Sequence, residues 1–179
     1  VLSTDNMQDV IDAALFIRLD NAGQVCNAAK RMIVIDSLYD EFVEKFTSGM
    51  LAAEVTNPMS SERAAKNLED QVNRAVKQGA KLATSGERNG AFYPAGVLTD
   101  VKPENEVYYE ELFGPVAQIH RAKDEADAIR IANDTQYGLG SYVYTTDEAQ
   151  ALRVADELDT GMVYILSLIH ISEPTRPER

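Results

Sequence analysis

The chain has 179 residues and a single cysteine, Cys26. A lone cysteine can form no internal disulfide and cannot build a multi-cysteine zinc site. Histidine is nearly as scarce, with only His120 and His170. Two histidines and one cysteine, far apart, give no plausible metal site, and the dispersed acids lack calcium-loop spacing. Positive charge is also short: 17 Lys+Arg stand against 29 Asp+Glu, a net charge of −12. Such a chain repels nucleic acid and anionic membrane, and no basic cluster offsets the total. No apolar run reaches transmembrane length, and no signal-peptide pattern is present. The expectation is therefore no nucleic-acid partner, no membrane partner and, from one reduced cysteine, a cytoplasmic setting. There is no internal repeat and no low-complexity linker, and the length suffices for one domain with a real core.

What is present reads as alternating helices and strands. Met7, Val10, Ile11, Ala14 and Leu15 recur at helical spacing behind the capping run Thr4-Asp5-Asn6. A strand is expected at 32–35. A helix should follow, opened by a capping box at Ser37-Leu38-Tyr39-Asp40, with Leu38, Phe42, Phe46 and Met50 on one face. A second long helix is expected over 60–78, with Ala64, Leu68, Val72 and Val76 inward and Gly79 at its end. Strands are expected at 81–85, 92–98, 115–120, 141–144 and 162–165, and helices at 124–133 and 147–158. Pro94 should make the 92–98 strand an edge or irregular one. The order implies an α/β fold, with a mostly parallel sheet flanked by helices. Ligands on such sheets bind beyond the carboxyl ends of the strands.

Cys26 lies in the run Asn21-Ala22-Gly23-Gln24-Val25-Cys26-Asn27-Ala28-Ala29-Lys30-Arg31. A free cysteine is commonly a small buried filler. Its surroundings favour a nucleophile. Gly23 lets backbone approach a ligand closely, Asn21 and Gln24 bring amides, and an apolar strand follows at once. The thiol then sits at a turn leading into a strand, where a side chain can be presented to a cleft.

Three stretches carry a family resemblance. The N-x-G-Q-x-C run with its basic pair resembles the nucleophile segment of the aldehyde dehydrogenase superfamily. Glu110-Glu111-Leu112-Phe113-Gly114-Pro115 resembles that family's E-E-[IL]-F-G-P element, and Asn133 to Leu139 its N-x-x-x-[YF]-G-L element, in the family's order. Within the superfamily the run from Gly23 to Arg31 is most similar to the succinate-semialdehyde dehydrogenase branch.

The resemblance implies oxidation of an aldehyde to a carboxylic acid with NAD or NADP as cofactor. Cys26 would be the catalytic thiolate, passing through a thiohemiacetal and a thioester. Glu111 would hold the hydroxyls of the nicotinamide ribose, and Phe113 would pack beside the nicotinamide end. The family's general base, its side-chain oxyanion donor and its dinucleotide-binding domain match nothing in this chain. A small-molecule aldehyde partner and a homo-oligomeric parent are also implied. An Arg that grips the substrate carboxylate in the succinate-semialdehyde branch corresponds here to Asp20, of opposite charge, with Arg18 two residues earlier. Two other readings use the same residues: a non-catalytic assembly module on the same fold, or a cysteine hydrolase pairing Cys26 with His120. His120 itself reads as a solvated strand-end residue.

Both ends invite expectations. Val1 opens the chain in mid-element, which suggests an internal piece of a longer reading frame. Residues 1–165 read as a partial catalytic domain. Residues 166–179, beginning Leu166-Ser167-Leu168-Ile169-His170, resemble the translation of a sequencing adapter and read as a non-native tail. Between about Glu54 and Ser60 the chain is roughly a dozen residues shorter than the family's usual loop, a kind of cut that surfaces tolerate.

Overall fold

A computed structural model describes residues 1–166. Helix α1 (Met7–Leu19) starts where Asn6 accepts a hydrogen bond from the Gln8 amide. Its buried face is Met7, Val10, Ile11, Ala14 and Arg18, an apolar stripe that ends in a cation. Strand β1 (Arg31–Ile35) alternates, with Met32 and Val34 buried. Helix α2 (Asp36–Ala52) follows with no intervening residue. The expected capping box at Ser37 does not form: the residue before the helix is Ile35, and no side chain caps it. The apolar stripe carries the helix instead. Phe42, Phe46 and Met50 are fully buried, and the two phenylalanine rings stack with centroids 5.3 Å apart.

Helix α3 (Glu62–Lys77) is capped by Ser61, whose hydroxyl accepts from the Ala64 amide. Its buried face is Ala65, Leu68, Val72 and Ala75. The expected face is thus rotated by about one residue, and Val76 is exposed. Gly79 ends the helix with φ +102°, a conformation that favours a residue without Cβ. Strand β2 (Lys81–Thr84) runs antiparallel to β3 (Gly96–Thr99). Because β3 begins at Gly96, Pro94 falls before it, and β3 is an interior strand rather than an edge. Strand β4 (Val116–Ala122) is parallel to β3 and to β1, giving the order β1-β4-β3-β2.

Helix α4 (Glu125–Asn133), capped by Asp124, leads to β5 (Ser141–Tyr144), α5 (Glu148–Glu157) and β6 (Val163–Leu166). Strands β5 and β6 form a parallel pair. The extended start of the chain bridges the two sheets: Val1 accepts from the Ile35 amide, and the Leu2 amide donates to Tyr144. Leu166, the first residue of the expected tail, pairs with Tyr144 inside β6. The remainder of that expectation, residues 167–179, lies outside the described residues, as does His170.

The four-stranded sheet is covered on both faces, as parallel strands require. α1 and α2 pack on Met32, Val34, Val97, Ala117 and Ile119. α3 packs on Leu98 and Val116 from the other side. A third cluster joins α4 and α5 to Val143 and Ala122. Each fully buried large apolar side chain contributes roughly 1.5–3 kcal/mol. These layers form the rigid support from which the turn carrying Cys26 projects.

Candidate active site

The turn at 21–28 depends on a buried cation. Arg18 is fully buried. Its guanidinium donates to the carbonyls of Gly23 and Gly114 at 2.7 Å each and of Ala29 at 3.1 Å. Burial lowers its pKa to about 10, opposed by the nearby charge of Glu111, so it stays protonated at neutral pH. Above it the chain reverses through three successive left-handed residues, Asn21, Ala22 and Gly23, with φ of 48°, 54° and 74°. Gly23 is needed here for a reason other than the one its sequence suggested. A Cβ would lie 2.2 Å from Arg18 Nη2 and 2.3 Å from the Gly114 oxygen. The space it leaves is filled by the protein, not offered to a ligand.

The amides flanking the turn are also committed. Gln24 Nε2 donates to the carbonyls of Pro58 and Asn21, and its Oε1 accepts from the Ser60 amide at 2.7 Å. The Asn–Gly–Gln part of the motif is therefore architecture. It anchors the turn to the segment entering α3.

Cys26 itself is exposed, as a free thiol, on the turn closed by the Ala28 amide donating to Val25. The Lys30 ammonium donates to the carbonyls of Val25 and Cys26 at 2.9 Å each. It also ion-pairs with Glu111 Oε1 at 3.0 Å and sits 5.5 Å from the centre of the Phe113 ring. The three residues expected to act together, Cys26, Glu111 and Phe113, thus converge on one lysine. Burial lowers the Lys30 pKa, and its contact with Glu111 opposes that shift. A cavity of about 510 Å³ opens beside them, lined by Cys26, Lys30 and Glu111 together with Ile17, Leu139 and Tyr142.

The two glutamates of the second motif have divided roles. Glu110 is tied to α3, accepting from Arg74 Nη2 at 2.6 and 2.7 Å and from Gln71 at 2.8 Å. Glu111 points toward the cysteine turn, with its side chain 32% exposed. Gly114 seats the segment against α3, since a Cβ there would meet Leu68 at 2.4 Å. In the third motif, Asn133 accepts from the Asp159 amide and donates to the Glu157 carbonyl. That side chain closes a loop.

A nicotinamide cofactor fits the donor set that is present. A partly exposed carboxylate, touched by Lys30 through one oxygen, can accept ribose hydroxyls. Phe113, 43% exposed, offers an aromatic surface beside it. Among the described residues no cluster of His, Cys, Asp and Glu could hold a metal ion, and no helix is long and apolar enough to cross a membrane.

His120 is not the solvated strand-end residue its position suggested. β4 runs on to Ala122, which leaves His120 inside the sheet, 5% exposed. Its ring lies 5.2 Å from that of Tyr108, edge to face, and the Arg31 guanidinium lies over the same Tyr108 ring, 5.0 Å from its centre. Burial, and behind it the charge of Arg31, lowers the His120 pKa to about 3. Among the described residues no hydrogen bond joins it to Cys26. A buried neutral imidazole and an exposed thiol do not make a hydrolase pair.

Sequence reasoning missed the roles of Arg18 and Lys30. Arg18 continues the buried register of Ile11 and Ala14 along α1, which was a readable sign of burial. Lys30 stands four residues after the cysteine, and nothing in the sequence alone marks a lysine that binds backbone carbonyls.

Comparison with known proteins is consistent across sequence and structure. The Aldehyde dehydrogenase family profile matches residues 1–177. A succinate-semialdehyde dehydrogenase [NADP(+)] from Deinococcus radiodurans is 46% identical over 92% of this chain and 37% of its own length. A succinate semialdehyde dehydrogenase [NAD(P)+] from Escherichia coli is 38% identical over 92% of the chain and 38% of its own. The structure of succinic semialdehyde dehydrogenase from Streptococcus pyogenes with NADP+ superimposes with a TM-score of 0.86 at 34% identity, covering 93% of this chain and 39% of that one. A salicylaldehyde dehydrogenase from Pseudomonas putida, solved with salicylaldehyde, gives the same TM-score at 35% identity, covering 92% of this chain and 36% of that one. The chain thus spans well under half the length of these relatives.

Proposed function

The chain belongs to the aldehyde dehydrogenase family, and we propose that it forms the cysteine-bearing part of a longer enzyme that oxidises an aldehyde with NAD or NADP. The observation that carries this reading is the convergence of the exposed Cys26 turn, Glu111 and Phe113 on Lys30 beside a cavity.

In this reading the Cys26 thiolate adds to the aldehyde carbonyl and forms a thiohemiacetal. Hydride leaves its carbon, and a thioester on Cys26 remains for water to cleave, giving the carboxylic acid and the free thiol. The bound nicotinamide cofactor supplies the hydride acceptor. When the cofactor is bound, Glu111 would accept the hydroxyls of its ribose and Phe113 would limit the motion of the nicotinamide end. The Cys26 backbone N–H is one donor to the developing oxyanion.

Succinate semialdehyde is the first substrate to test, because curated relatives carry that activity in their names. The charges near the turn argue for including neutral aldehydes. Arg18 is buried on three carbonyls, Lys30 is paired with Glu111, and Asp20 is exposed where a carboxylate-gripping cation would stand. In the full-length enzyme, Cys26→Ser should abolish aldehyde-dependent NAD(P)H formation. A wild-type enzyme that reduces neither cofactor with any aldehyde, or a Cys26→Ser variant of full activity, would overturn the proposal. The ratio of kcat/KM for succinate semialdehyde to that for a neutral aldehyde settles the substrate class.

A further inference from the structure

We infer that Lys30 is a positioning residue, which holds the Cys26 turn and the Glu111 carboxylate at a fixed separation so that thiol and cofactor meet in register. The inference rests on the function proposed above and adds to it a residue with no assigned part in the reaction.

An ammonium carries three donors and one charge. In Lys30 two donors go to successive carbonyls, Val25 and Cys26, on the turn that presents the thiol. The charge goes to Glu111 at 3.0 Å. The aromatic face of Phe113 adds a cation–π contact at 5.5 Å. One side chain therefore touches the turn of the nucleophile, the carboxylate and the aromatic ring.

The lysine is held tightly as well. Its side chain is 12% exposed, whereas Lys45, Lys66 and Lys81, the other lysines of the described ion pairs, are 41%, 62% and 78% exposed. Those three pairs are solvated and contribute little. Lys30–Glu111 instead connects segments far apart in sequence at the edge of a cavity, where a desolvated charge is expensive unless paired. No other side chain among the described residues hydrogen-bonds to the carbonyl of Cys26 and also ion-pairs with the carboxylate of Glu111.

The consequence is geometric. The thiol and the ribose-holding carboxylate come from different loops, and both loops are supported from behind by Arg18 and α3. Lys30 is the link in front, between the two functional groups themselves. Removing it leaves both groups in the chain but frees their separation.

The test uses the full-length enzyme and four forms: wild type, Lys30→Met, Glu111→Gln and the double variant. Pre-steady-state NAD(P)H formation and cofactor titration are measured on each. Lys30→Met should slow the hydride step by roughly 10-fold to 10²-fold while changing the cofactor Kd by less than about 3-fold. In the Glu111→Gln background the same substitution should cost less than about 3-fold, because the partner it positions is already impaired. Lys30→Gln keeps a donor for the turn carbonyls and loses the charge. It should reproduce most of the slowing if the methionine variant does not fold. Lys30→Arg, which retains the charge, should recover part of the rate. A hydride step within about 2-fold of wild type in Lys30→Met and Lys30→Gln, or an undiminished effect in the Glu111→Gln background, would overturn the inference. Absence of aldehyde-dependent cofactor reduction in the wild type would instead remove the function on which it rests.

Discussion

The turn at 21–28 and the strand β4 hold their polar residues by different means. In the turn the backbone is fixed by long side chains: Arg18 from α1 and Lys30 from just before β1 reach in from outside, and the turn's own Gln24 amide bridges out to residues 58 and 60. In β4 it is fixed by strands on both sides, with helices covering both faces. The first arrangement leaves Cys26 exposed on a rigid base. The second buries His120 and keeps it neutral. The comparison shows why one scarce residue type is a reactive candidate and the other is not, although both stood out equally in composition. Reactivity needs access as well as support, and a mid-sheet position gives only support.

The largest expected effect tests whether the turn rests on its buried clamp. Gly23→Ala would place a methyl group within contact distance of Arg18 and the Gly114 carbonyl, at a φ of +74°. The variant should lose at least about 3 kcal/mol of stability in chemical denaturation, through strain and a displaced buried charge. A loss under about 1 kcal/mol would mean that the turn does not depend on this close approach.

A smaller effect tests the other side of the comparison. His120 has a folded pKa of about 3 against an ordinary value of 6.5. Between those values the unfolded chain takes up a proton that the folded chain refuses. Stability should therefore fall as pH falls through this window, by up to about 1.4 kcal/mol per pH unit from this one group. His120→Phe removes the group and keeps a ring against Tyr108. Its stability profile should be flatter than that of the wild type between pH 6 and 4 (an order-of-magnitude window). Parallel profiles would show that His120 is not the buried neutral base described here.

The smallest effect separates the regions most sharply. Cys26→Ser should change stability by no more than about 0.5 kcal/mol, since the side chain is exposed on its turn. A loss of 2 kcal/mol or more (roughly the cost of a buried truncation) would return the cysteine to the role of a core filler.

Much of the fold was legible because local and long-range signals agree. The cap expected in the Thr4-Asp5-Asn6 run forms at Asn6, a short polar side chain placed immediately before an amphipathic run, and Ser61 and Asp124 cap their helices in the same way. The Ser37 capping box was misleading because β1 passes straight into α2, and tertiary packing of Phe42 and Phe46 overrides the cap. Pro94 was misread because a proline just before a strand and a proline within one look alike in sequence. Cys26, Glu111 and Phe113 were singled out through motif resemblance, and in the structure the Cys26 carbonyl, the Glu111 carboxylate and the Phe113 ring all lie against Lys30. The contacts that do this were not legible. Arg18 and Lys30 act on backbone carbonyls, and a carbonyl has no sequence signature. Gly23 was legible as a special residue but not in its purpose, because a glycine that admits a ligand and one that admits an arginine leave the same mark.

The most direct test of the central claim, that the exposed thiol is the nucleophile, is mass spectrometry of the full-length enzyme acid-quenched during turnover with an aldehyde and NAD(P). The account predicts that the peptide containing Cys26 gains the mass of the acyl group, that the gain vanishes with time after substrate is exhausted, and that it is absent when the aldehyde is omitted. An enzyme that turns over while the Cys26 peptide stays unmodified throughout, or that carries the acyl group on another residue, would contradict it.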